Sequence, residues 1–170
     1  EQAGQQMAET LTAIESFDLQ AVIIYPNSDA GGDQIIEEIN ARSFGDDVKT
    51  FQSLPRDEYL GLLAAADVMV GNSSSGIIEA PSFDLPVVDV GPRQEGRQRA
   101  ANTISVPHQT SSIRDAISKC LTDEDFIEQV IGCENPYDYD GAGTVICRTL
   151  TAVELGDELI KKELAFPEAD

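Results

Sequence analysis

"MVGNSSSGIIEAPSF", Met69 to Phe83, decides how the chain is read. Apolar residues run into Gly71-Asn-Ser-Ser-Ser-Gly76, and Ile-Ile-Glu-Ala follows. A strand ends, three hydroxyls come in a row, and a helix is predicted over 76–83. Free N–H groups collect at a helix N-terminus, together with the positive end of its dipole. Gly71 and Gly76 let a ligand come close to the backbone, and Ser73, Ser74 and Ser75 add hydroxyl donors. Such a turn is suited to phosphate. The same residues also suit an N-cap with two turn-filling neighbours.

Outward from this stretch, apolar runs and helical patterns alternate. Strands are predicted at 21–25, 48–51, 67–70, 86–90 and 103–106. Ala21-Val-Ile-Ile-Tyr25 is apolar throughout, as in a strand buried on both faces. Helices are predicted at 2–17, 33–41, from Ser53 through Leu63, and at 76–83, 112–121, 123–131 and 142–164. The alternation implies βαβ units: an α/β, Rossmann-like, doubly wound parallel sheet forming one domain over 1–170. Ligands bind such sheets at the carboxyl ends of the strands. Three unusual loops fall there: "YPNSDAGG" (25–32), "GNSSSG" (71–76) and "GPRQEGRQR" (91–99).

The third loop holds Arg93, Arg97 and Arg99, three of only 11 basic residues in a chain of net charge −20. Guanidinium groups match phosphate oxygens; surface ion pairing with the abundant acids is the alternative. Glu79 lies one turn beyond the serines. A carboxylate beside a phosphate is repelled unless it faces something else, and a ribose diol can donate both its hydroxyls to one. A helix-dipole role in the first turn also suits it.

The remaining totals exclude several classes. Acids number 31, and only 4 of the basic residues are Lys. A surface so negative repels nucleic acid and anionic membranes; its acids are spread as in salt-adapted proteins, an ordinary acidic cytosolic protein being the alternative. No apolar run approaches the length of a bilayer span. Glu1-Gln2-Ala3-Gly4 has no features of a signal peptide and no initiator Met, so a fragment or processed product is expected. Cys120, Cys133 and Cys147 are odd in number with no C-x-x-C, which favours reduced thiols in the cytoplasm. Neither dinucleotide nor P-loop glycine motifs occur. The single histidine, His108, is expected to be solvated or to cap a helix.

Taken together, "YPNSDAGG", "GNSSSGIIEAPSFDLPVV", "VGPRQEGRQRAANTI" and "NPYDYDGAG" resemble the UDP-N-acetylglucosamine 2-epimerase family, with wording closest to its hydrolysing branch. The resemblance covers nearly the whole chain. It implies the C-terminal, UDP-binding half of a two-domain enzyme of GT-B type. Ser73, Ser74, Ser75 and Gly76 would line the diphosphate and Glu79 the ribose. Arg93 would line the cleft, and Asn27 and Asp29 belong to the family's Pro-Asn-x-Asp-Ala-Gly loop. It also implies that the proton-transfer carboxylates sit in an N-terminal domain upstream of Glu1, leaving no catalytic residue here. The last helix, 142–164, would cross back onto that domain. No metal or redox cofactor is implied. The partners would be UDP or UDP-N-acetylglucosamine, the N-terminal domain, and further copies of the full-length protein. Asp84 departs from the family, which often has Gly there, and salt adaptation is the simplest reading. The nucleotide half of a GT-B glycosyltransferase and a stand-alone nucleotide-binding module are the competing readings.

Overall fold

A computed structural model describes residues 2–27, 31–139, 141–154 and 156. Asp29 lies outside the described residues; the helix expected over 142–164 ends at Ala152, with Val153 extended, and residues beyond 156 lie outside the described residues. The chain forms two compact units, Glu1–Asp138 and Tyr139–Asp170. The first is α/β. In chain order it runs α1 (Gln2–Glu15), β1 (Ala21–Ile24), α2 (Gly32–Ala41), β2 (Val48–Phe51), α3 (Arg56–Ala65), β3 (Met69–Gly71) and α4 (Ser75–Ile78). It continues with β4 (Val87–Val90), β5 (Thr103–Val106), α5 (Thr110–Thr122) and α6 (Glu124–Val130). In the second unit the described structure is one helix, α7 (Ala142–Ala152). No helix among the described residues is long and apolar enough to cross a membrane.

All strand pairs are parallel, as the alternation of elements requires, and the domain is Rossmann-like. Their ladders divide into two: β1 with β2, and β3-β4-β5. Within the second, Gly71 stands opposite Asp89, and Val90 opposite Val106. The central strand β4 is buried along its whole length. Val88 and Val90 pack with Ile113, Ile117 and Cys120 of α5, with Phe126 and Val130 of α6, and with Ala13 of α1. Leu11 of α1 packs instead with Ile23 of β1 and Ile39 of α2. Helix α1 thus joins the two ladders, presenting Leu11 to one and Ala13, about 200° further round the helix, to the other.

Strand β1 is not buried on both faces as its apolar run implied. Ile23 is covered by α1 and α2, whereas Val22, on the opposite face of the pleat, is 42% exposed. The helix expected over 76–83 also differs. It is one α-turn, followed by a 3-10 turn over Ala80–Phe83. Pro81 supplies no N–H to continue the α-helical ladder, which breaks the helix at Glu79. Asp84 ends the 3-10 turn at φ 50°, in the left-handed region, and its Oδ1 accepts a hydrogen bond from the Gly132 amide at 2.7 Å. The glycine-like position therefore has a conformational cause, since Asp is among the few residues that tolerate this backbone.

Candidate functional site

Parallel pairing of β3 with β4 brings the loops that follow them side by side at the carboxyl edge. Gln94, 3% exposed, clasps them: its Nε2 donates to the carbonyl of Asn72 at 2.7 Å. The loop after β1 belongs to the other ladder. Asn27 is exposed there, and no hydrogen bond among the described residues ties it to the first two loops.

In the first loop the three serines differ. Ser73 is exposed, and its Oγ accepts a long hydrogen bond from the Ser75 amide, 3.3 Å. Its hydroxyl proton stays uncommitted. Ser74 takes the N-cap position without a side-chain capping bond. The amides of Ser73 and Ser74 have no acceptor among the described residues. The dipole of α4 is small, because the helix is only four residues long. What this loop offers is two open amides and two open hydroxyls. Ser75 is different. Its Oγ donates to Glu79 Oε2 at 2.5 Å and accepts from the Tyr59 hydroxyl at 2.6 Å. Glu79 Oε1 faces Arg56 Nη1 at 3.3 Å. Arg56 and Tyr59 stand three apart in the first turn of α3, so they share a face. That spacing was readable in the sequence, but it could not show that the shared face meets Glu79.

Packing requires the glycine at Gly76. A Cβ there would lie 2.9 Å from Val87 Cγ1 on β4. Gly71 does leave open space: its φ is 145°, and nothing lies within 4 Å of where a Cβ would be.

In the second loop, Arg93 is exposed on a 3-10 turn over Pro92–Gln94, and Arg97 is exposed beyond it. Arg99 turns inward. Its Nη2 pairs with Asp89 Oδ2 at 3.0 Å and donates to the Gln94 carbonyl at 2.9 Å. Asp89 is 1% exposed. Of the three arginines read together as phosphate ligands, Arg99 is thus part of the loop's foundation. His108 is half-buried and caps no helix. Its ring lies against Gly91, where a Cβ would come within 2.1 Å of Nε2. The first amide of α5 is instead capped by Glu9, whose Oε2 accepts from the Thr110 N–H at 2.9 Å and from its hydroxyl. These bonds hold the Glu9 carboxyl below its usual pKa.

A segment that sequence reasoning left unassigned also reaches the site. Asn135, in the stretch "NPYDYDGAG", donates to the Ile78 carbonyl at 3.0 Å and to Ser82 Oγ at 2.7 Å. It braces α4 from behind. A depression of about 310 Å³ lies at the opposite, amino edge of the sheet, lined among others by Asp67, Pro86 and Leu121. It shares no residue with the two loops.

Fold and loops define a Rossmann-like α/β domain with a polar cradle at the carboxyl edge of its sheet. The chain belongs to the UDP-N-acetylglucosamine 2-epimerase family, whose model matches residues 1–151. It is 43% identical over 116 residues to a UDP-N,N'-diacetylbacillosamine 2-epimerase (hydrolyzing) of Legionella pneumophila, an overlap of 68% of this chain and 31% of that protein. It is 37% identical over 118 residues to a UDP-N-acetylglucosamine 2-epimerase of Neisseria meningitidis serogroup B, covering 69% of this chain and 31% of the relative. The chain thus spans about a third of the length of these relatives. Among solved structures, it shares its fold with a Methanocaldococcus jannaschii UDP-N-acetylglucosamine 2-epimerase in complex with UDP-N-acetylglucosamine and UDP. The TM-score is 0.66 at 18% identity, over 89% of this chain and 41% of the other.

Proposed function

We propose that this chain is the UDP-holding, C-terminal half of a two-domain UDP-N-acetylglucosamine 2-epimerase of the hydrolysing branch. One observation carries the reading. The open amides and hydroxyls of Ser73 and Ser74 lie within two turns of a carboxylate, Glu79, that is paired with Arg56. A diphosphate on the serines would then place its ribose diol at Glu79. Gly71 leaves room for close approach, and Arg93, Asn27 and Asp29 would complete the cleft. The hydrolysing branch is supported by the name of the 43% identical relative.

In the reaction so proposed, the C2 proton passes to a base and the C1–oxygen bond breaks, releasing UDP and a 2-acetamidoglucal. Water then adds across the double bond to give N-acetylmannosamine. This chain would stabilise the departing diphosphate, an electrostatic task. Its loops offer serines and arginines, poor bases for a carbon acid, so the proton-transfer groups are assigned to a separate domain. The three cysteines are free thiols, which supports a reducing, cytoplasmic setting. The −20 charge supports salt adaptation.

Calorimetry tests the assignment. UDP is expected to bind more tightly than uridine. Ser73→Ala and Glu79→Ala should each weaken UDP by about tenfold, the scale of one charge-assisted hydrogen bond. Unchanged UDP affinity in both variants refutes the site.

A further inference from the structure

Ser75 has one hydroxyl proton, and its partners decide where that proton goes. Glu79 can only accept, so Ser75 Oγ donates to Oε2, at 2.5 Å. The Tyr59 hydroxyl, 2.6 Å away, then donates to Ser75 Oγ. This leaves Ser75 no proton for a phosphate oxygen. The short distance to Glu79 is typical of a hydroxyl bound to an ionised carboxylate. Tyr59 is itself held by packing: its ring lies against the cluster of Leu63, Ala80, Leu85 and Val87. The other carboxylate oxygen faces Arg56 Nη1 at 3.3 Å, on a side chain that is 73% exposed. The relay thus runs from a ring fixed in the core, through Ser75, to one oxygen of Glu79.

We propose that Tyr59 and Ser75 are positioning residues that set Glu79 for a vicinal diol, and that this relay makes the site select ribonucleotides over 2′-deoxyribonucleotides. The proposal rests on the ribose-holding role proposed above for Glu79. A free Glu side chain loses rotamer freedom when it binds. Here two residues impose that order before any ligand arrives. A carboxylate offers about four lone-pair positions. With Ser75 on one oxygen and Arg56 on the other, one acceptor position remains on each. Two acceptors at that fixed separation match the two hydroxyls of a ribose. A 2′-deoxyribose would leave one acceptor unused, so the discrimination reports the carboxylate's orientation and not its charge alone.

The full chain is titrated by calorimetry with UDP and with 2′-deoxy-UDP, for the parent and for Tyr59→Phe, Ser75→Ala and Glu79→Gln. The parent is expected to prefer UDP by about tenfold or more, as for a hydrogen bond to a charged group. Tyr59→Phe keeps the packed ring and Ser75→Ala removes a single oxygen. Each should bring the preference down to about threefold or less, weakening 2′-deoxy-UDP, which keeps one of the two contacts, less than UDP. If Glu79→Gln abolishes the preference while both relay variants retain it, the positioning role is overturned and the ribose role of Glu79 stands. Equal weakening of both nucleotides in the relay variants also overturns it, because that is the signature of a merely structural contact. A parent with no ribose preference, or a preference that survives Glu79→Gln, overturns the ribose role and the relay with it.

Discussion

The two loops at the carboxyl edge divide their polar residues in the same way over different foundations. In the serine loop, the outer residues Ser73 and Ser74 are uncommitted and the inner Ser75 turns back to Glu79. In the arginine loop, the inner Arg99 is locked to Asp89 and Arg93 and Arg97 lie outside. Each loop gives up one of its three like residues to build a base for the others. The bases differ in kind. Beneath the serine loop is a hydroxyl relay at the margin of the core; beneath the arginine loop is an ion pair with one fully buried member. A buried charge that loses its partner is far more costly than a lost hydroxyl contact, so the arginine loop should be the more brittle of the two.

Arg99→Met is the strongest way to break that contrast. It strands the Asp89 carboxylate in the core and should cost about 3 kcal/mol or more in denaturant unfolding. The double variant Asp89→Asn with Arg99→Met should recover much of the loss. A single variant as stable as the parent would show that the ion pair is no foundation.

Gly91→Ala should act next. Gly91 has φ 82° and ψ −175°, a region almost reserved for glycine, and its Cβ would overlap the His108 ring. A loss of about 2–3 kcal/mol is expected from strain and clash together. His108→Ala in the same chain should relieve the clash and leave roughly 1–2 kcal/mol of backbone strain. Equal stability of the single and double variants would mean that the ring moves aside at no cost.

Salt gives the smallest effect and sharpens the contrast. The melting temperature should rise with KCl into the molar range, as the Debye length falls to about 3 Å at 1 M and repulsion among surface acids is screened. The deficit of Arg99→Met should stay nearly constant across the series, because Asp89 is 1% exposed and poorly screened. A melting temperature that is flat or falls with KCl would refute salt adaptation.

Much of the frame was legible before any coordinates. The strands at 48–51 and 103–106 occur where apolar patterning put them, and their parallel pairing follows from helices between strands. The carboxyl-edge placement of the serine and arginine loops follows from the same alternation. The break at Glu79 was less legible, although Pro81 carried its signal, because the apolar pattern runs on through Phe83. The exposed face of β1 was not legible at all. A run of apolar residues states what could be buried, and only the positions of α1 and α2 decide which face of the pleat is covered.

By itself the sequence determined composition, periodicity and the order of elements. From these come the α/β class, the parallel ladders and the family wording of the loops, because each depends on neighbours a few residues apart. Tertiary structure alone decided the direction of side chains whose partners are distant in the chain. Ser75 meets Tyr59, 16 residues away, Gln94 meets Asn72, 22 away, and Thr110 meets Glu9, 101 away. A hydroxyl, an amide or a guanidinium serves ligand and scaffold equally well as an isolated group. The choice is made by which acceptor the packed chain brings within 3 Å or so, and no local pattern encodes that distance.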